Sequence, residues 1–104
     1  MSVLTVTKEN FDQLLNQPLP ILFDFWAPWC NPCRMMGPII DQVEQAVQGK
    51  ALVGKINIDE QPELASQFGI MSVPTLMVVQ DHRVVRSAVG LRPKEQVLQL
   101  LEVK

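Results

Sequence analysis

Ile21-Leu22-Phe23-Asp24-Phe25-Trp26-Ala27-Pro28-Trp29-Cys30-Asn31-Pro32-Cys33-Arg34 carries an apolar run straight into a pair of cysteines, the only two in the chain. From Ile21 to Ala27 both alternating faces are apolar, apart from Asp24, which predicts a central parallel strand covered on both sides. Beyond Cys33, the residues Met36, Ile40, Val43 and Val47 recur at helical spacing as far as Gly49. A helical pattern therefore begins inside the cysteine motif. Pro38 lies within it and is expected to kink the helix, because it removes a backbone donor and crowds the preceding turn. Two sulfurs so placed on a first helical turn can touch. The first sits where unpaired backbone N–H groups and the helix dipole favour a thiolate.

Working outward, Leu4 and Val6 alternate with Thr5 and Thr7 as a short first strand, and Thr7 is placed to cap a helix over Lys8 to Leu15. Asn16-Gln17-Pro18-Leu19-Pro20 breaks that helix. Downstream, Leu52 to Ile58 reads as a strand and Pro62 to Phe68 as a short helix closed by Gly69. Thr75 to Gln80 and Val84 to Val89 read as two strands joined at Asp81-His82, a two-residue hairpin connection. Pro93 opens a last helix with Val97, Leu98 and Leu101 facing inward. The order β-α-β-α-β-α-β-β-α predicts an α/β fold, a mixed sheet with helices on both faces. No linker divides the chain, so residues 1–104 read as a single domain. If the hairpin pairs antiparallel beside the Ile21 strand, Val73-Pro74 and Val89-Gly90-Leu91 both fall next to the cysteines.

The composition is that of a soluble globular protein with enough apolar residues for a core without staples. Nine Lys and Arg are scattered among eleven Asp and Glu, for a net charge of −2, which gives no basic face for nucleic acid. No apolar run approaches the ~20 residues of a membrane helix. The first residues, Met1-Ser2-Val3-Leu4-Thr5-Val6, lack the basic region, apolar stretch and cleavage site of a secretory signal, so a cytoplasmic location is expected.

Four readings of Cys30 and Cys33 compete. Zinc ligation needs two further ligands, yet there is no third cysteine and His82 is the only histidine. A purely structural disulfide over so small a loop contributes only about 2 kcal/mol, against nearly 5 for a loop of about a hundred residues. An inert buried pair sits poorly with Trp29, Asn31, Pro32 and Arg34 around it. Reversible redox chemistry is favoured, since C-x-x-C near a βαβ pattern supports it. In that chemistry Cys30, nearer the helix start, attacks a substrate disulfide, and Cys33 then attacks the Cys30 sulfur to release the reduced substrate. Pro32 stiffens the ring, and its missing N–H has no partner at a first helical turn anyway.

Asp24 stands among Ile21, Leu22, Phe23, Phe25 and Trp26, where burial raises a carboxyl pKa. It reads either as a polar residue near an exposed strand end or as a buried general base that takes the Cys33 proton. Lys55, on the neighbouring strand, reads either as its partner or as a solvated strand-end lysine. Val73-Pro74 is trans by the ordinary preference of X–Pro bonds. His82 reads as a turn residue at the sheet edge away from Cys30 and is rejected as a base. Met35, Met36, Met71 and Met77 read as packing residues in preference to copper ligands.

Together these stretches closely resemble the thioredoxin family over essentially the whole chain. The resemblance rests on Phe23 to Cys30, Pro32-Cys33, Pro38, Lys55-Ile56-Asn57-Ile58-Asp59, Val73-Pro74-Thr75 and Val89-Gly90. It implies a five-stranded mixed sheet with four helices and a general protein-disulfide reductase activity. It further implies Cys30 as nucleophile, Cys33 as resolving thiol, Asp24 as base and Lys55 as its neighbour. Pro74 is then cis, so that the Val73 backbone can bind an extended substrate segment, and Trp29, Val73, Gly90 and Leu91 line an apolar docking surface. The implied partners are disulfide-containing protein substrates and a dedicated reductase flavoenzyme of the thioredoxin-reductase type. A monomer with no tightly bound cofactor is expected.

Three positions depart from the family pattern. Asn31 stands where glycine is usual, His82 replaces the hairpin glycine, and Pro93 replaces a hydroxyl cap. Asn31, between the thiols, is expected to shift the redox poise modestly in either direction. The competing functional readings are a disulfide oxidant or isomerase, an interaction or chaperone subunit with incidental thiols, and, more remotely, a dimer bridging an iron–sulfur cluster.

Overall fold

In the computed structural model, which describes residues 2–102, the elements follow the expected order. They are β1 (Leu4–Thr5), α1 (Phe11–Leu15), β2 (Ile21–Trp26), α2 (Asn31–Ala46), β3 (Leu52–Asn57), α3 (Pro62–Gln67), β4 (Thr75–Gln80), β5 (Arg83–Val89) and α4 (Lys94–Leu101). The five strands form one sheet in the order β1-β3-β2-β4-β5. β2 is central, parallel to β3 and antiparallel to β4, as its two-sided apolar character predicts. The sheet is therefore mixed and five-stranded, and with its four helices it has the architecture that the resemblance implies.

Alternation along the strands divides the core between two faces. Leu22, Val53, Leu76 and Val78 meet Met36, Ile40 and Val43 of α2 and Val97 and Leu101 of α4. Ile21, Phe23, Phe25, Ile56 and Val79 face the other way, against Phe11 and Leu64. Phe68 stacks into this second layer, with its ring centroid 5.6 Å from both Phe11 and Phe25. Asp24 alternates with Phe23 and Phe25, so it points with Leu22 toward the α2 side.

The element limits differ from expectation mainly at α1, which starts at Phe11 and not at Lys8. Thr7 does act as a cap, but of a turn. Its hydroxyl accepts the Asn10 N–H at 3.3 Å, while the Asn10 side chain accepts the Thr7 N–H at 2.8 Å. The Lys8 N–H is taken by the Gln61 side chain at 3.0 Å, which holds that residue outside the helix. α2 runs through Pro38 without interruption. The hairpin turn places Asp81 at φ 54° and His82 at φ 65°, the left-handed pair that a two-residue connection requires.

Candidate active site

β2 ends at Trp26, and the chain crosses Ala27-Pro28-Trp29 to reach α2, for which Cys30 is the N-cap. Cys30 is extended (φ −99°, ψ 111°), and its Sγ accepts the Cys33 N–H at 3.2 Å. A sulfur thus takes the capping place usually held by a side-chain oxygen, and a helix-end amide that would otherwise lack a partner points at it. Such an arrangement stabilises negative charge on that sulfur. Cys30 and Cys33 are joined as a disulfide, with Cα atoms 5.2 Å apart. Both are buried, beside Ala27, with Trp26, Ile58 and Val73 packed against them.

The loop before β4 approaches from the other side. The Val73–Pro74 peptide is cis, and the Val73 carbonyl oxygen lies 3.6 Å from Cys30 Sγ. The Thr75 hydroxyl donates to the Ser72 carbonyl at 2.7 Å and so fastens this loop. Thr75 pairs with Val89 across the hairpin, and the Gly90 N–H donates to the Pro74 carbonyl at 2.9 Å. Gly90 has φ 96°, a conformation that glycine adopts without steric cost. Three distant segments, 29–34, 72–75 and 89–91, therefore border one patch. On its rim Trp29 and Leu91 remain 64% and 40% exposed and leave apolar surface beside the disulfide.

Asp24 lies beneath α2, 1% exposed, and its Oδ1 has no hydrogen-bond partner. Burial pushes its pKa up from 3.8 to about 7, while the charge of Lys55 pulls it down. Lys55 is the direct register partner of Asp24 on β3. The reading of Asp24 as a residue at an exposed strand end therefore fails. A cleft of about 250 Å³ leads to it, lined by Asp24, Trp26, Cys33, Arg34, Gly37 and Lys55. The resolving position of the motif and the buried carboxyl thus share one space.

Not every candidate joins this patch. His82 sits at the far end of the six-residue strand β4, a strand length of roughly 20 Å from the Thr75 end. Asn31, within the 29–34 segment, does border the patch and is exposed at the first position of α2. Met36 is buried in the layer under α2 and Met77 packs against the opposite layer, whereas Met35 and Met71 are exposed. Among the described residues there is no group of three or more His, Cys, Asp or Glu side chains that could hold a metal ion. No described helix is long and apolar enough to cross a membrane.

Sequence reasoning also missed some of the framework. The Trp29 indole N–H donates to the Asp59 carboxylate, at 3.1 Å to Oδ2, and the Asn57 side chain fixes that loop by accepting the Asp59 N–H at 2.9 Å. Arg34 Nη2 donates to the Pro28 carbonyl at 2.9 Å and ties α2 back to the entering loop. The Asn57-Ile58-Asp59 stretch was visible as a motif, but only the strand register, which pairs Asn57 with Trp26, brings Asp59 within reach of Trp29.

The thioredoxin family model matches residues 2–103. Among curated proteins, a thioredoxin from Alicyclobacillus acidocaldarius is 47% identical over 95 residues, covering 91% of this chain and 90% of the relative. Thioredoxin 1 from a Nostoc species is 48% identical over 98 residues, covering 93% and 92%. A thioredoxin from Bacillus subtilis is 39% identical over 101 residues, covering 97% and 96%. The chain therefore belongs to the thioredoxin family and, with the Cys30–Cys33 disulfide as a redox-active pair, is a thiol–disulfide oxidoreductase of the protein-disulfide reductase kind.

Proposed function

We propose that Cys30 is the attacking thiolate, Cys33 the resolving thiol and Asp24 the general base for Cys33. The observation that carries this assignment is the capping geometry. Cys30 Sγ, not that of Cys33, receives a helix-end N–H and faces the Val73 carbonyl. In the reduced protein the Cys30 thiolate attacks a substrate sulfur, one substrate thiolate leaves, and a mixed disulfide forms. Asp24 then takes the Cys33 proton, the Cys33 thiolate attacks Cys30 Sγ, and the Cys30–substrate bond breaks. The second substrate thiol is released and the Cys30–Cys33 disulfide closes. Two electrons pass from the protein to the substrate.

Lys55 holds Asp24 close to neutrality in pH, against the burial that raises its pKa. Pro32 stiffens the ring, and Asn31 tunes the poise. An extended substrate segment binds along the Val73-Pro74 backbone, with Trp29, Gly90 and Leu91 as its apolar surroundings. The substrates are disulfide-containing proteins, and a reductase flavoenzyme returns the electrons. These segments gather around one five-stranded sheet, which favours a single domain over residues 1–104, read as a monomer. A dithiol that must be kept reduced fits a cytoplasmic location.

The test is trapping. Cys33→Ser is expected to accumulate a stable mixed disulfide through Cys30, visible by non-reducing electrophoresis and mass spectrometry. Cys30→Ser is expected to form none and to lose reductase activity. A Cys30→Ser variant that keeps full function would support the interaction-module reading instead. Equilibration against a glutathione buffer fixes the direction, a strongly oxidising midpoint favouring the oxidant or isomerase.

A further inference from the structure

Gly37 stands in the seventh position of α2, and nothing in the packing around it demands a glycine. Gly49, Gly69 and Gly90 have left-handed φ, and Gly54 is pressed against Val6. Gly37 shows neither feature. A Cβ built there meets only Lys55 Nζ, at 4.0 Å, within ordinary contact distance. Glycine also destabilises a helix interior relative to alanine. One backbone reason remains, since a Cβ before Pro38 crowds the proline ring in helical conformation.

What distinguishes the position is where it faces. Gly37 lines the cleft that runs from exposed Arg34 down to buried Asp24. Helical side chains lean toward the helix N-terminus, over residues three and four positions earlier. For position 37 these are Arg34 and Cys33, which are the other helical walls of the same cleft. A large side chain at 37 would lie across the opening and displace the Lys55 ammonium. At about 250 Å³ the cleft is ample for water.

We propose that Gly37 is a positioning residue: by carrying no side chain at the mouth of this cleft, it keeps open the path by which solvent water reaches and hydrates the Asp24 carboxyl. The inference rests on the reading of Asp24 as the base for Cys33. In each turnover the proton taken from Cys33 must leave Asp24 before the next cycle. The sheet beneath offers no exit, because Asp24 is flanked there by Leu76 on β4 and by the β3 backbone. The charged or titratable groups around the carboxyl are Lys55 from β3 and Cys33 and Arg34 from α2. All of them line the cleft, so closing it changes both the hydration of Asp24 and its distance from Lys55.

The test compares Gly37→Leu with Gly37→Ala. Both variants place a Cβ before Pro38, so any backbone cost is common to them, and only leucine covers the cleft. In the oxidised protein the Asp24 titration midpoint is followed by carbon-13 NMR of the side-chain carboxyl. Relative to Gly37→Ala, Gly37→Leu is expected to raise it by about half a pH unit or more. Resolution of a pre-formed mixed disulfide should slow by about twofold or more near pH 7 in the leucine variant. Should the leucine variant fold poorly, Gly37→Met, with a flexible side chain over the same cleft, gives the same two readouts. Equal midpoints and equal rates for the alanine and bulky variants would overturn the proposal and leave Gly37 as a backbone accommodation to Pro38. The reading of Asp24 is checked separately with Asp24→Asn. If the pH step in resolution persists in that variant, Asp24 is not the base, while the carboxyl midpoint in the Gly37 variants still reports whether the cleft governs the hydration of Asp24.

Discussion

At the scale of single residues, Asp24 has the largest energetic consequence. Its carboxyl has a pKa of about 7 in the folded protein against 3.8 when solvated, so the folded state binds the extra proton between these values. Below pH 4 both states are protonated and the burial of a neutral acid costs little. As pH rises from about 4 to about 7, the unfolded chain ionises freely while the folded one cannot, and stability falls. Above about 7 both are ionised and the loss is complete. A rise of this size corresponds to about 4 kcal/mol as an upper limit, reduced by whatever water enters the cleft. Asp24→Asn removes the titration. In urea unfolding of the oxidised proteins, the variant is expected to gain on the wild type steadily from pH 4 to pH 7.5, by a few kcal/mol at the upper end. Parallel pH curves for the two proteins would show that Asp24 is not held near-neutral by burial. That this carboxyl is buried was legible from its apolar neighbours. Its relation to Lys55 needed the β2–β3 register, which pairs the two residues directly.

At the scale of elements, the sequence was most readable where periodicity was long and least where side chains redirect the backbone. The stripe of α2 and the two-faced run of β2 are visible in the residues alone, because each repeats over several turns or pleats. The start of α1 was not, since the Thr7–Asn10 exchange and the Gln61 side chain, 53 positions from Lys8, jointly decide it. The cis geometry at Val73–Pro74 was legible only through family resemblance, because X–Pro bonds are ordinarily trans. The β1–β3 contact shows another fact that only packing reveals. Gly54 pairs with Leu4, and a Cβ there would fall 2.5 Å from Val6 Cγ2. Val6 is 1% exposed and β-branched, so it has little freedom to move aside. Gly54→Ala is therefore expected to cost about 1–3 kcal/mol in urea unfolding, the range for overpacking. Part of the loss should return in Gly54→Ala combined with Val6→Ala, which removes the obstructing methyl. An equal cost of Gly54→Ala on both backgrounds would assign it to the backbone and not to Val6.

At the scale of the whole molecule, the two apolar layers are built without the disulfide, which belongs to a small third cluster at the end of the sheet. Closing a ring between cysteines three positions apart contributes only about 2 kcal/mol by chain entropy. The reduced protein should therefore stay folded, which a reductant that cycles between both states requires. The stability gap between oxidised and reduced forms is linked to the redox poise by a closed cycle. It equals the difference in disulfide-forming free energy between the folded protein and the unfolded chain, at 30 mV for each 1.4 kcal/mol. Asn31 bears on both sides of that cycle. In the fold, the hydrogen bond to Cys30 Sγ comes from the Cys33 backbone N–H, a group that substitution at position 31 leaves in place. Asn31 itself is exposed at the start of α2. Asn31→Gly is thus expected to shift the reduction potential by less than about 30 mV. The freer unfolded ring that glycine allows should appear instead in the potential of a short peptide spanning residues 28–35 and, through the cycle, in the stability gap between oxidised and reduced protein. Glutathione titration of protein and peptide, with urea unfolding of oxidised and reduced forms, measures every side of the cycle. A shift well beyond 30 mV in the protein, with none in the peptide, would show that the Asn31 side chain reaches a sulfur once the disulfide opens.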